Sequence, residues 1–170
     1  MREGRIDAAI DWLVPERGPF RDVTLFEDAI VAVARGGHPA LRRTRTLAEL
    51  KRGAFVSLRP RIEGEHPVPG IREWRRLDLK YVLEVSEILE IFMVASQSDL
   101  FGLIPRTMVK FAAEVFGLRL IRAGPRNAAV PIKLVWHRGR EADPAHAFLR
   151  AQIALASNDV VPRVSRKAGT

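Results

Sequence analysis

Three polar residues follow a short apolar run in the middle of the chain, and their types suit the binding of an anion. Ser57 lies near the end of the run over residues 54–58, and Arg59 and Arg61 follow that run. If the run is a strand of an open α/β sheet, these residues lie at its carboxyl end, where such sheets usually bind ligands. Ser57 and main-chain N–H groups could then orient a small molecule while Arg59 pairs with its carboxylate or phenolate. The alternative is that Arg59 and Arg61 only solvate a proline-rich loop.

Ser86 could supply a second contact with an anion. It precedes a segment whose apolar residues, Ile88, Ile91, Phe92 and Ala95, recur at helical spacing, so Ser86 is predicted to be the N-cap of a helix. A helix N-terminus that faces a ligand favours negative charge, because its free N–H groups carry partial positive charge. A capping role alone would also explain this serine.

No pattern typical of an enzyme or of a metal site accompanies these residues. Glu27 and Asp28 are adjacent on an extended segment, so their carboxylates point to opposite faces and do not form an acid/base pair. The histidines show no HExxH spacing, and no GxSxG, GxGxxG or Walker A pattern occurs. We therefore predict no catalytic residue, no metal site and no cofactor, and we interpret the chain as a binding protein. The four histidines are His38, His66, His137 and His146.

Short apolar runs alternate with longer helical patterns along the chain, which is typical of an α/β fold. Thr46 with Glu49 has the form of a capping box, Pro105 suits the first position of a helix, and Asp143 can cap a terminal helix. That terminal helix is predicted to turn Phe148, Leu149, Ile153 and Ala156 inward. Strands are predicted over 5–10, 23–34, 54–58, 81–85, 100–104, 118–121 and 130–136.

Composition limits the class of protein and its partners. The 170 residues are 47% hydrophobic and 28% charged, which is the balance of a soluble domain with a core. No run approaches the roughly 18 apolar residues of a membrane span, and the absence of cysteine is compatible with the cytoplasm. The formal charge of +8 invites a nucleic-acid partner, but the arginine clusters lack an aromatic strand or recognition helix.

Five segments, in this order, resemble the sensor domain of LysR-type transcription regulators. The resemblance covers roughly residues 4–156, and SDLFGLIPR with LVWH is similar to the branch that includes nodulation and aromatic-catabolism activators. The segments are LFEDAIVAVARGGHPAL, TLAEL, AFVSL, QSDLFGLIPRTMVKFAAEVFGL and VPIKLVWHRGREADPAHAFLRAQI.

This resemblance implies a periplasmic-binding-protein-like fold of type 2, with two α/β subdomains, two crossing strands and a small-molecule cleft between the subdomains. Thr24 and Phe26 would line the hinge, although Phe26 also suits a core position. The resemblance places the crossing strands near 23–34 and 130–136, the inner subdomain at 35–129, a partial outer subdomain at 1–26 and 130–157, and a flexible tail at 158–170.

The chain also departs from the family pattern. The family's helix-turn-helix head, its linker helix and the first elements of the sensor have no counterpart before residues 5–10. We therefore expect an incomplete outer subdomain with an exposed apolar face and an unpaired sheet edge, and hence a homo-oligomer. Contact with DNA would require a head domain that this chain lacks. The family's glycine-containing corner between helix and strand is replaced by residues 96–99.

The function that the resemblance implies is the sensing of a small anionic or aromatic effector by a cytoplasmic regulator, without a membrane partner. Two alternatives stay open. One is a solute-binding protein of the same fold, and the other is a basic module that binds nucleic acid directly.

Overall fold

Two long strands connect the two compact units of the chain. The computed structural model describes residues 6–12, 18–43, 46–59, 69–125 and 129–160. Unit 1 comprises Met1–Asp28 and Pro131–Thr170, and unit 2 comprises Ala29–Val130. The strands are β1 (Ala8–Asp11), β2 (Phe20–Arg35), β3 (Ala54–Leu58), β4 (Lys80–Val85), β5 (Phe101–Pro105), β6 (Leu118–Leu120) and β7 (Ala129–His137). The helices are α1 (Ala40–Arg43), α2 (Leu47–Leu50), α3 (Pro69–Arg75), α4 (Ile88–Gln97), α5 (Val109–Phe116) and α6 (Pro144–Val160).

The boundaries between the units fall inside β2 and β7, so each of these strands belongs in part to both units. The sequence places crossing strands over the same two segments. The assignment of the units to the inner and outer subdomains of the family stays a prediction.

Unit 2 is built on a sheet with the strand order β6-β2-β5-β3-β4. Strand β3 pairs in parallel with both β4 and β5, whereas β2 is antiparallel to β5 and to β6. The carboxyl ends of β3, β4, β5 and β6 therefore lie at one edge of the sheet. Because Ile30 pairs with Pro105, the first unit 2 residues of β2 lie at this edge as well.

Helices α4 and α5 cover one face of the unit 2 sheet. The apolar stripe predicted for α4 is confirmed, since Ile91, Phe92 and Ala95 are fully buried against β3 and β5. Burial of each large side chain contributes roughly 1.5–3 kcal/mol to stability. Gly102 in β5 permits this packing, because a Cβ atom there would lie 2.7 Å from Cγ2 of Ile91.

Helix α3 covers the opposite face. Its Trp74 is 1% exposed and packs with Phe55, with the ring centroids 6.5 Å apart, and Phe55 also contacts the rings of Tyr81 and Phe101. Val56, the next residue of β3, packs in the α4 cluster, as expected for the alternating faces of a strand. Helix α3 begins at Pro69, two residues before the predicted segment, and proline suits this first position.

Most of the predicted helix ends are confirmed. Thr46 and Glu49 form the capping box, and Gly117 ends α5 with a φ of 65° in the left-handed region. Asp143 caps α6 by accepting hydrogen bonds from the main-chain N–H groups of Ala145 and His146.

The prediction that Pro105 begins a helix is wrong. Pro105 is the last residue of β5, and its ψ of 139° is that of an extended backbone. Its pairing with Ile30 keeps it in the sheet. A 3-10 turn over Arg106–Met108 then leads into α5.

The corner after α4 uses serine where the family has glycine. The hydroxyl of Ser98 donates a hydrogen bond to the carbonyl of Val94 at 2.7 Å and accepts one from the N–H of Leu100 at 3.2 Å. The serine side chain thus satisfies a free carbonyl at the helix end, with φ at an ordinary −140°.

Unit 1 contains the sheet order β1-β7-β2 together with α6. The predicted inward face of α6 is wrong: Phe148 is 67% exposed and Leu149 39%, and the buried residues are His146 and Ser157. His146 lies 3.1 Å from the carbonyl of Asp7, so a polar contact defines the inner face of this helix. The predicted residue Ala156 is also exposed, and Ile153 is half-buried. Helix α6 continues to Val160, three residues into the segment predicted to be a loose tail.

Unit 1 leaves apolar surface in contact with solvent, as the sequence predicts. Ile10 is 59% exposed and Leu155 is 62% exposed, in addition to Phe148. Within the described residues, β1 pairs only with β7 and so leaves one edge of the sheet unpaired.

Candidate functional site

The carboxyl edge of the unit 2 sheet brings together three of the residues selected from the sequence. Ser57 and Arg59 lie at the end of β3, and Ser86 follows β4. The two strand ends are joined directly, since the N–H of Arg59 donates a hydrogen bond to the carbonyl of Val85 at 2.7 Å. The predicted position of these residues at the carboxyl end of a parallel sheet is therefore present.

The topology at this edge is the one at which open α/β sheets bind ligands. The chain leaves β3 toward α3 on one face of the sheet, and it leaves the neighbouring β5 toward α5 on the other face. Neighbouring strands whose connections diverge in this way leave a crevice between their carboxyl ends. The ends of β3 and β5 form such a switch point.

Ser57 contacts other protein groups in this structure. It is fully buried, its hydroxyl donates a hydrogen bond to the carbonyl of Leu58 at 3.2 Å, and Nη2 of Arg75 lies 3.5 Å from the same hydroxyl. Arg75 also forms an ion pair with Glu84 at 2.7 Å and lies over the ring of Tyr81, 4.6 Å from its centroid. Ser57 therefore supports a charged network beside the edge.

The other predicted anion contacts differ in their surroundings. Arg59 is exposed, and Arg61 lies outside the described residues. Ser86 is exposed, but the prediction that it caps α4 is wrong, because Glu87 occupies the N-cap position. The carboxylate of Glu90 accepts hydrogen bonds from the N–H groups of Ser86 and Glu87, each at 2.8 Å. The positive end of α4 thus already faces a carboxylate of the same chain.

The two predicted hinge residues lie in the unit 1 part of β2. Thr24 is exposed, and Phe26 is half-buried. The structure therefore places them in a different unit from Ser57, Arg59 and Ser86.

A cavity of about 740 Å³ opens at the same edge, beside β5, β6 and the first unit 2 residues of β2. Two arginines line it: Arg106 directly follows β5, and Arg122 follows β6 by two residues. Sequence reasoning missed both, although they follow buried strands in the same way as Arg59. The remaining lining residues are Ala29, Ile30, Val31, Leu47, Trp74, Leu120, Ile121, Ala123, Gly124 and Pro125.

The histidines that the structure describes have structural contacts. Nδ1 of His38 accepts a hydrogen bond from the N–H of Ala40 at 3.0 Å, and its Nε2 lies 3.1 Å from the carbonyl of Asp99. His137 accepts a hydrogen bond from the N–H of Gly139 at 3.1 Å. Over the described ranges, no three acidic, histidine or cysteine side chains are grouped so that they could hold a metal ion.

Membrane insertion was considered through helix length and hydropathy. Among the helices that the structure describes, none combines the length and the apolar character required to span a bilayer.

Comparison with known proteins places this fold and edge in a family. The chain matches the LysR substrate binding domain over residues 1–156. It is 31% identical over 160 residues to the HTH-type transcriptional regulator SyrM of Rhizobium etli, an alignment that covers 92% of this chain and 46% of that protein. The chain thus spans about half the length of the curated relatives it matches.

Solved structures agree with the family match. The CcmR regulatory domain of Synechocystis PCC6803 in complex with 2-PG superposes with a TM-score of 0.72 at 15% identity, covering 94% of this chain and 77% of that chain. The effector binding domain of QuiR in complex with shikimate gives a TM-score of 0.72 at 14% identity, covering 93% and 75%. These similarities show a periplasmic-binding-protein-like fold of type 2. With the match over residues 1–156, they show that this chain belongs to the LysR substrate binding domain family.

Proposed function

We propose that the chain is the effector-sensing part of a transcription regulator and that it binds a small molecule at the carboxyl edge of the unit 2 sheet. The observation that carries this proposal is the cavity of about 740 Å³ at that edge, a volume within the usual range for small-molecule sites. Family membership supports the same role, and two related domains are described in complex with 2-PG and with shikimate.

Sensing requires that the effector bind two states of the protein with different affinity, because equal affinity would shift no equilibrium. An effector at the sheet edge would favour one arrangement of the regulator over another. We place contact with DNA in a helix-turn-helix domain outside this sequence, as the names of the curated relatives suggest. We also propose a cytoplasmic, homo-oligomeric regulator with a binding role and no catalytic one.

The residues selected from the sequence enter this proposal unequally. Arg59 is the best supported, because it is exposed and its main chain is fixed to β4. Ser57 would act through Arg75, whereas Ser86 would compete with Glu90 for an anion. The remaining proposed contacts are Arg61, Thr24 and Phe26.

A thermal-shift screen of the 170-residue chain tests the proposal. The library should contain neutral, cationic and anionic metabolites together, because the proposal does not depend on ligand charge. A true ligand raises the melting temperature in a saturable way, since binding to the folded state adds RT ln(1 + [L]/Kd) to stability.

A cavity-filling variant makes this screen specific. Ala123→Trp adds an indole to the cavity lining and should abolish the shift. Ala151→Trp adds the same indole at an exposed position of α6 and should preserve it. A screen without any saturable shift would contradict the proposed function, as would a shift that Ala123→Trp leaves unchanged.

A further inference from the structure

We propose that the cavity at the ends of β5 and β6 binds a small organic acid, with its carboxylate held by Arg106 and Arg122 and its hydrocarbon part against the apolar wall. This inference rests on the proposed function and narrows it to one chemical class of effector. It also assigns the charge recognition to two arginines that lie apart from Ser57, Arg59 and Ser86.

The first argument is charge. Arg106 and Arg122 are both exposed at the cavity, and no acidic residue belongs to its lining. Neither guanidinium has an ion pair or a side-chain hydrogen bond within the ranges that the structure describes. Four other arginines do have such partners, in the pairs Arg35–Asp99, Arg75–Glu84, Arg76–Glu73 and Arg140–Asp143. Two guanidinium groups that lack a counterion favour an anionic ligand.

The second argument is position. Strands β5 and β6 flank β2 on its two sides, so their ends are separated by about 10 Å, or two strand spacings. The chain around Arg122 is held in place because the N–H of Ile121 donates a hydrogen bond to the carbonyl of Ala32 at 2.9 Å. Arg106 begins the 3-10 turn that follows β5. A small molecule above the start of β2 therefore lies between two fixed attachment points for long cationic side chains.

The third argument is the chemistry of the wall. Apart from the arginines, the lining consists of apolar side chains, glycine and Trp74. The indole N–H of Trp74 is already used, since it donates a hydrogen bond to the carbonyl of Ile30 at 3.0 Å. The wall thus offers apolar contact and few hydrogen-bonding side chains. This composition favours an acid with an aliphatic or aromatic body over a sugar phosphate or inorganic phosphate.

Calorimetric titration of the full chain with matched acids and amides tests the inference. The probes are octanoate, 3-phenylpropionate and benzoate, each paired with its neutral amide, and inorganic phosphate. At least one acid should bind, and its amide should bind about tenfold or more weakly, because a charge-assisted pair is lost. Arg106→Gln and Arg122→Gln should each weaken binding of that acid by about tenfold, and the double variant should weaken it further.

Arg119→Gln is the matched control. Arg119 is an exposed arginine of β6 outside the cavity lining, so this variant makes the same change in net charge and should bind the acid as the unchanged chain does. Equal loss in all three single variants would show that only long-range charge is involved and would overturn the assignment. Melting temperatures of the variants confirm that each one remains folded.

The outcomes separate this inference from the function on which it rests. If the chain binds only neutral or cationic compounds, or if the double variant keeps full affinity for an acid, the organic-acid site is wrong while effector sensing stands. If phosphate binds as tightly as the acids, the apolar wall has no role and the proposed class is wrong. If no compound of any charge binds, the proposed function itself fails.

Discussion

Trp74 in α3 donates a hydrogen bond from its indole Nε1 to the main-chain carbonyl of Ile30 in β2, at 3.0 Å, and both residues line the cavity of unit 2. Trp74 is 1% exposed, so this bond is made out of contact with water. It ties the helix that follows β3 to the strand at which unit 2 begins. The shape of the cavity therefore depends on this single tryptophan.

Trp74→Phe should lower the free energy of unfolding by about 1–3 kcal/mol, because the carbonyl of Ile30 loses its partner in a buried place. The smaller ring also leaves part of the tryptophan volume empty. Urea denaturation followed by circular dichroism measures the loss. Phe148→Leu, at a position that is 67% exposed, is the control and should change stability by less than about 0.5 kcal/mol. Equal stability of Trp74→Phe and the unchanged chain would show that the bond contributes nothing.

Tyr81→Phe should have no such cost. The hydroxyl of Tyr81 is buried and has no hydrogen-bond partner within the described residues, and burial raises the pKa of Tyr81 to about 12, against a smaller lowering effect of Arg75. Removal of an unsatisfied hydroxyl is expected to be neutral or slightly stabilising at neutral pH.

The same substitution should change the stability at alkaline pH. Because the pKa is raised in the folded state, the unfolded chain ionises first, near its ordinary value of 10.0. The stability associated with the protonated phenol is complete below that pH and is lost as the pH rises to about 12. The chain has one tyrosine, so tyrosinate absorbance reports this group alone. Parallel stability curves for Tyr81→Phe and the unchanged chain across this interval would contradict the prediction.

Local features of this fold could be predicted where one segment contains all the information. The strand over residues 54–58 is a continuous apolar run, and the bounds agree with those of β3. The stripe of α4 and the capping box of Thr46 depend on spacings of three and four residues within one helix. In these cases the interacting groups are neighbours in the sequence, so periodicity and capping chemistry decide the structure.

Features that depend on the partners of an element were harder to predict. The apolar residues of α6 suggested an inward face with Phe148, but the helix turns His146 toward the chain because that histidine has a polar contact with Asp7. The choice of Ser86 as N-cap followed the general preference for serine. Glu87 took that position because Glu90 can accept hydrogen bonds from both N–H groups at the start of α4.

The cavity shows why only part of the candidate site could be predicted. Arg59 was selected because a strand precedes it, and the same rule applies to Arg106 and Arg122. What the sequence does not contain is the strand order that places β5 and β6 on either side of β2. Without this order, the two arginines are unrelated surface charges.

Asp143 should stabilise α6 in a way that depends on pH. The hydrogen bond from the N–H of His146 contributes most to lowering the pKa of this carboxyl, with further effects of the N–H of Ala145 and of Arg140. A lowered pKa means that its contribution is present above the ordinary pKa of the unfolded chain and is lost as the pH falls through the folded value. Asp143→Ala should therefore lower the urea midpoint at neutral pH and have less effect in acid.

Asp143→Asn is the control for the charge, because the amide oxygen can still accept both N–H groups. It should retain most of the neutral-pH stability and show a weaker dependence on pH than the aspartate. A urea midpoint for Asp143→Ala that falls by the same amount at neutral and at acid pH would be at odds with a charged cap.

Gly124→Ala should damage the cavity wall. A Cβ atom at this position would lie 2.7 Å from Cη2 and Cζ2 of Trp74, and the φ of 152° is one that residues with a side chain rarely adopt. Gly117→Ala is the matched control, since its φ of 65° is strained but nothing lies within 4 Å of the added atom. The control should cost about 1–2 kcal/mol from backbone strain, and Gly124→Ala should cost more. Urea denaturation of both variants, with the quantum yield of tryptophan fluorescence as a second readout, distinguishes strain from collision. An equal cost would mean that Trp74 can move aside freely.

The exposed apolar side chains of unit 1 should make the chain associate with itself. Phe148 and Leu155 are seven residues apart on α6, so they lie on the same side of the helix, and both are more than 60% exposed. Apolar surface in contact with water favours association, at roughly 25 cal/mol for each Å² removed from water. Sedimentation velocity over a series of concentrations should show dimers or larger species for the unchanged chain, and the double variant Phe148→Gln with Leu155→Gln should shift the population toward monomer. The double variant Phe148→Leu with Leu155→Met keeps the surface apolar and should still associate. A chain that stays monomeric over the whole series would show that this surface does not drive self-association, and unchanged assembly of the glutamine variant would place the contact on another surface.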